Sequence, residues 1–124
     1  MPSAEPPAIH ITKRTFEFSL RIVKLCRELG KNEVNRVLSR QLLRASTSIG
    51  ANVEEAQAAQ SKPDFVSKTA IALKEARESH YWLRLIAASD SAYTNRLQAL
   101  VQEAREIRDI LGAINSKARA KSRA

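Results

Sequence analysis

The sequence predicts an all-α protein, an antiparallel up-down four-helix bundle, and three observations carry that expectation. Apolar residues make up 44% of the 124 positions, while there are only three glycines and four prolines, a balance that favours helix over a turn-rich β fold. Apolar residues recur at three- and four-residue spacings through four long segments. No stretch alternates with period two over a strand's length between turn signals.

The first helix is expected over 12–29, where Phe18, Ile22, Leu25, Cys26 and Leu29 share one stripe and Gly30 stands where a C′ glycine would close it. Asn32 can cap a second helix running to about Gln60, with Leu38, Leu42, Ala45, Ile49, Val53 and Ala56 on its apolar face. Ser61, Pro63 and Asp64 form a helix-start signal. The third helix should then run to about Ala88, aligning Phe65, Thr69, Ala72, Ala76, Ser79, Leu83 and Ala87. Thr94 is a plausible cap for a fourth, which aligns Leu97, Leu100, Val101, Ala104, Ile107, Leu111 and Ile114. Short connections make a bundle the economical packing. The expected organisation is a disordered lead over 1–10, the bundle over 11–116 and a basic tail over 117–124.

Two helices carry more apolar surface than one bundle face needs. Phe16, Leu20 and Val23 lie opposite the Phe18–Leu29 stripe, and a second stripe on the third helix runs through Ile71, Glu75, Glu78 and Trp82. Either the first helix sits centrally in the monomer and uses both sides, or these faces bury against neighbouring subunits. Leaving a large apolar side chain exposed forfeits roughly 1.5–3 kcal/mol of burial. A homo-oligomer interface through Phe16, Leu20, Val23, Ile71 and Trp82 is therefore expected.

The segment STSIGANVEEA (46–56) has the look of an active-site loop but falls inside the second helix. Its Gly50 has neither the glycine spacing nor the lysine of a phosphate loop. A helix-interior glycine costs about 1 kcal/mol relative to alanine, so close approach of another helix or subunit is expected there, and Gly50 joins the interface set. Glu54 and Glu55 point about 100° apart on a helix and cannot act as a paired acid and base. Arg44, Ser48, Asn52 and Glu55 do align, as a solvated line, an interhelix network or a ligand site. If that line is buried, Glu75 or Glu78 is the natural partner for Arg44, because a buried arginine requires a carboxylate.

Candidates for catalysis are few. The histidines are His10 in the lead and His80 on the third helix, the latter read as a core-edge residue with a polar partner. Di-iron bundles use Glu-x-x-His pairs; this chain has Glu75-Ala-Arg-Glu78 with His80 out of phase. Arg77 and His80 stand too close for the arginine–histidine spacing of small helical ribonucleases. The single Cys26 excludes an intramolecular disulfide and a Cys-cluster zinc site. No enzymatic activity, metal or cofactor is expected.

The charge balance is more informative: net +8, from 21 Lys and Arg against 13 Asp and Glu, suits an anionic partner such as nucleic acid. Half of that excess sits in the tail, at Lys117, Arg119, Lys121 and Arg123. Arg36, Arg40 and Arg44 form a ladder over two turns, read either as a solvated or intersubunit salt-bridged face, or as a phosphate-binding band multiplied in a ring-shaped oligomer. Base-stacking aromatics are nearly absent, so RNA recognition would be electrostatic and shape-based. No apolar run approaches a membrane span, and MPSAEPPAIH lacks the pattern of a secretory leader. The expectation is a soluble, cytoplasmic protein.

Two blocks between Gln41 and Leu85 carry a family resemblance: QLLRASTSIGANVEEAQAAQS and DFVSKTAIALKEARESHYWLRLI. Arg44, Ser48, Ile49, Asn52 and Glu55 in the first, and Ala72, Glu75, Trp82 and Leu83 in the second, resemble the pattern of small bacterial proteins encoded in intervening sequences of 23S rRNA genes. The accessory variability protein of diversity-generating retroelements looks like a relative. The resemblance implies an up-down four-helix bundle assembling as a homopentamer, often ring-like with a basic centre, and brings no enzymatic activity. Its expected partners are RNA or a nucleoprotein, or a protein such as a reverse transcriptase.

Overall fold

A computed structural model describes the backbone of residues 7–123 and the side chains of residues 10–121. It contains four helices, α1 (Pro7–Leu29), α2 (Glu33–Gln57), α3 (Lys62–Ser89) and α4 (Gln98–Arg123). Among the described residues there is no strand.

The local signals explain most of the boundaries. Pro7 opens α1, a position where its missing N–H leaves nothing unsatisfied. Asn32 caps α2 from an extended conformation, its Oδ1 accepting from the Asn35 N–H at 2.8 Å. Ser61 does the same for α3, accepting from the Asp64 N–H at 3.1 Å with Pro63 in the first turn. Helix α2 ends at Gln57, short of Gln60, because the chain must straighten into the extended Ser61 cap. Gly30 follows Leu29 as expected, but without the positive φ of a left-handed C′ cap.

Thr94 is not a cap. Its hydroxyl donates to the Ala87 carbonyl at 2.6 Å, tying the turn back to the end of α3, and α4 begins only at Gln98. Residues 7–10, expected in the lead, belong to α1, and the basic segment from Lys117 to Arg123 continues α4. Residues 1–6 and 124 lie outside the described residues.

The predicted stripes meet in one core. Phe18 and Ile22 of α1, Leu42 and Ile49 of α2, Leu83 and Ile86 of α3, and Ile107 and Leu111 of α4 are all buried. Ala45, Ala72, Ala76 and Ala104 are small enough to bring the helices close. Helices α2 and α3 share the most extensive packing, then α3 and α4, then α1 and α2; α1 and α4 share the least of the neighbouring pairs.

Contacts that climb one helix descend its neighbour. Ser19 meets Ser46 while Cys26 meets Ser39; Asn35 meets Asp90 while Arg44 meets Glu75; Thr69 meets Asn115 while Leu73 lies by Gly112. This register decides which charges face each other across each seam.

Candidate nucleic-acid interface

The α2–α3 seam gathers the polar residues of STSIGANVEEA. Arg44 Nη1 donates to Glu75 at 3.1 Å and Nη2 to Glu78 at 2.9 Å, so both carboxylates named as its natural partners are used. Glu75 is 5% exposed whereas the Arg44 side chain is 52% exposed. Burial raises the Glu75 pKa, the Glu78 charge raises it further, and Arg44 opposes both. Deeper in the same seam, the Ser46 hydroxyl donates to Ser79 Oγ at 3.0 Å, and Ser79 donates to the Glu75 carbonyl at 2.9 Å.

The aligned residues Arg44, Ser48, Asn52 and Glu55 therefore do not act as one line. Arg44 joins the interhelix network, Asn52 Nδ2 donates to the Ser48 carbonyl and hydroxyl, and Glu55 is exposed. The arginine ladder divides too. Arg36 and Arg40 are exposed, with no ion pair among the described residues, while Arg44 is neutralised by its two glutamates.

On the α1–α4 seam, Arg14 is held between Glu103 at 2.7 Å and Glu106 at 2.6 Å. The Glu103 hydrogen bonds raise the Arg14 pKa most, so this cation is locked in its charged form. Hydrogen bonds from Gln102 and then Arg14 lower that of Glu106. Near the other end Arg96 pairs with Glu28 at 2.6 Å and lies over the Tyr93 ring.

The α3–α4 seam differs. Arg77 and Arg84 of α3 and Arg105 of α4 have no ion pair among the described residues, and Arg108 pairs only with its own neighbour Asp109 at 3.1 Å. His80 lies between them, 8% exposed, with Nε2 buried and without a hydrogen-bond partner. The polar partner expected for it is missing at that atom. Burial lowers the His80 pKa, and the charges of Arg108, Arg84 and Arg105 lower it further against a smaller opposing effect of Asp109.

With this geometry in view, comparison with known proteins is decisive for family. Residues 8–113 match the model of the 23S rRNA-intervening sequence protein family. The chain belongs to that family. It is also similar to a solved protein of unknown function from the S23 ribosomal protein family of Bacteroides thetaiotaomicron VPI-5482. The two are 37% identical, with a TM-score of 0.83, over 90% of this chain and 99% of that one. No curated protein matches.

In this 23S rRNA-intervening sequence family member the basic C-terminal segment is helical. Lys117 and Lys121 line a 570 Å³ cavity at the bundle end with Lys62, Phe65 and Ile114. Arg119 donates to the Asn115 side chain at 2.9 Å, and the side chain of Arg123 lies outside the described residues.

The apolar set divides as well. Phe16 is 58% exposed and Leu20 47%, so this part of the second face of α1 is not consumed inside the monomer. Ile71 is exposed, while Val23 and Trp82 are half-buried; Trp82 Nε1 is buried without a partner, and its ring meets Tyr81 edge-on at 5.0 Å. Gly50 is buried within its own chain. A Cβ there would sit 3.5 Å from the Thr15 carbonyl and 3.6 Å from Ser19 Oγ, so the helix that approaches Gly50 within the chain is α1.

Among the described residues no three His, Cys, Asp or Glu side chains cluster to hold a metal, and no helix is long and apolar enough to cross a membrane. Burial pushes the Cys26 thiol up to about 11, which leaves it a neutral thiol near pH 7.

Sequence reasoning weighed Arg77 only as a ribonuclease residue beside His80, and did not single out Arg84, Arg105 or Arg108. Each falls on a helix flank, and only the α3–α4 register brings them together.

Proposed function

We propose that this chain is a non-enzymatic cytoplasmic protein, an antiparallel up-down bundle that assembles with copies of itself into a ring and associates with RNA or a nucleoprotein through basic surfaces. The observation that carries the reading is the distribution of its cations: Arg36, Arg40, Arg77, Arg84 and Arg105 stand without ion pairs among the described residues on a chain of net charge +8. Unpaired surface arginines are the groups that neutralise phosphates and release counterions. The reversed order of contacts along each packed pair supports the up-down topology.

Fluorescence anisotropy of a labelled single-stranded RNA, titrated across a series of potassium chloride concentrations, tests the association. Affinity should fall steeply with salt. Salt-independent binding, or none at low ionic strength, contradicts the reading.

Exposed Phe16 and Leu20 support self-assembly, and the family resemblance suggests five copies. Light scattering on the eluting protein should give a mass well above 13.8 kDa at micromolar concentration; a monomer counts against the ring. The same exposed faces favour a second reading, a scaffold that docks a protein such as a reverse transcriptase. A complex that survives nuclease and ignores reversal of the basic charges would select it.

A further inference from the structure

Arginine is answered differently at each seam. Carboxylates from the neighbouring helix close on Arg44 between α2 and α3, and on Arg14 between α1 and α4. Between α3 and α4 no carboxylate crosses the seam among the described ion pairs. Leu73, Arg77, His80 and Arg84 follow one another at spacings of 4, 3 and 4 on α3, and Arg105, Arg108 and Gly112 at 3 and 4 on α4. Leu73, Arg77, Arg108, Asp109 and Gly112 line a 400 Å³ groove, with Gly112 facing Leu73 across it. One turn further along, the register sets His80 and Arg84 against the Arg105 end of α4.

Arg77 and Arg108 share the groove, and Arg84 and Arg105 lie near His80 one turn further along the same seam; like charges so gathered repel one another, and a bound anion would relieve that repulsion. The groove has one carboxylate, Asp109, already bonded to Arg108. Arg77 and Arg84 stand about 10 Å apart along the helix axis at 1.5 Å per residue, so the cations are spread along the seam.

We propose that the α3–α4 groove seats the sugar–phosphate backbone of a nucleic-acid strand, with Arg77, Arg84, Arg105 and Arg108 as its phosphate ligands. The inference rests on the reading of the protein as RNA-associated and says where on the bundle the strand lies. His80 is a reporter beneath the strand. Phosphates that offset the fields of Arg84, Arg105 and Arg108 make its protonation easier.

The test uses the full chain and a labelled single-stranded oligoribonucleotide. An Arg77→Ala/Arg108→Ala variant should bind about tenfold or more weakly at low salt. Its log–log salt slope should shrink by up to about 1.4, at about 0.7 for each phosphate no longer neutralised. An Arg36→Ala/Arg40→Ala variant should change both much less. Equal weakening by the two pairs, or no change in the groove variant, overturns the groove while leaving RNA association standing. Absence of binding by the unaltered protein removes both. On the unaltered protein, titration of the His80 imidazole by NMR should give a higher pKa with oligoribonucleotide than without; an unchanged value overturns the proposal. Displacement of the RNA by polyglutamate at equal charge concentration would instead make the groove a seat for acidic polymers, and also overturns it.

Discussion

Helix α3 presents arginine chemistry on both flanks. Toward α2, its carboxylates Glu75 and Glu78 receive Arg44. Toward α4, it carries Arg77 into a groove shared with Arg108, while Arg84 and Arg105 act on the buried His80 nearby. The first flank resolves its charge inside the molecule, so its arginine serves folding. The second receives no carboxylate from the neighbouring helix, and it is there that the proposed anion would bind. Identical side chains a few residues apart thus differ in role because of what the neighbouring helix places opposite them.

The largest expected effect breaks the paired seam. Arg44→Ala leaves the buried Glu75 carboxylate with Glu78 and no cation, at a cost of about 1–2 kcal/mol, reduced from the fully buried case because Arg44 is half exposed. Thermal unfolding should show a Tm lower by about 4 °C or more. An unchanged Tm would mean that the seam is held by its alanines and the Ser46–Ser79 bond alone.

A smaller effect separates the two flanks by pH. The Glu75 pKa is raised, so the native state holds the extra proton and this group's stabilisation is complete below 4.5, then lost as pH rises through its folded pKa. The His80 pKa is lowered, so its stabilisation is present above 6.5 and lost as pH falls through its folded pKa. Urea unfolding across pH should therefore show Glu75→Gln removing a decline on the alkaline side of 4.5, and His80→Gln removing one on the acid side of 6.5. If His80→Gln leaves the acid limb unaltered, the arginines do not act on His80 as the groove requires.

The smallest effect belongs to the seam between α1 and α2, which no ion pair crosses among the described residues. Gly50→Ala should be tolerated or should stabilise by up to about 0.5–1 kcal/mol, since the new Cβ meets Thr15 and Ser19 at ordinary contact distances. A large loss in chemical denaturation would show that the helices touch more closely there than 3.5 Å implies.

Much of this was legible in the sequence, wherever the signal was local. Asn32 and Ser61 act within one turn, so α2 and α3 start where their caps predict. The core stripes follow from helical period. Thr94 misled because its hydroxyl is spent on the Ala87 carbonyl, a tertiary turn that mimics a cap in sequence. Arg44 found Glu75 and Glu78 because one charged partner pair on a facing stripe left little choice. For Gly50 the wheel shows that something comes close, but not which helix. The basic α3–α4 seam stayed hidden for a related reason: two unremarkable flanks meet only through the register fixed by Asn115 on Thr69 and Gly112 on Leu73.

The central claim is that the arginine answered by carboxylates of the neighbouring helix serves folding and those it leaves unanswered serve binding. It is tested most directly by measuring Tm and RNA affinity on the same preparations of Arg44→Ala and Arg77→Ala/Arg108→Ala. The account predicts a crossed result, with Arg44→Ala lowering Tm at near-native affinity and the groove pair lowering affinity at near-native Tm. Loss of both properties in both variants, or the reverse assignment, would contradict it.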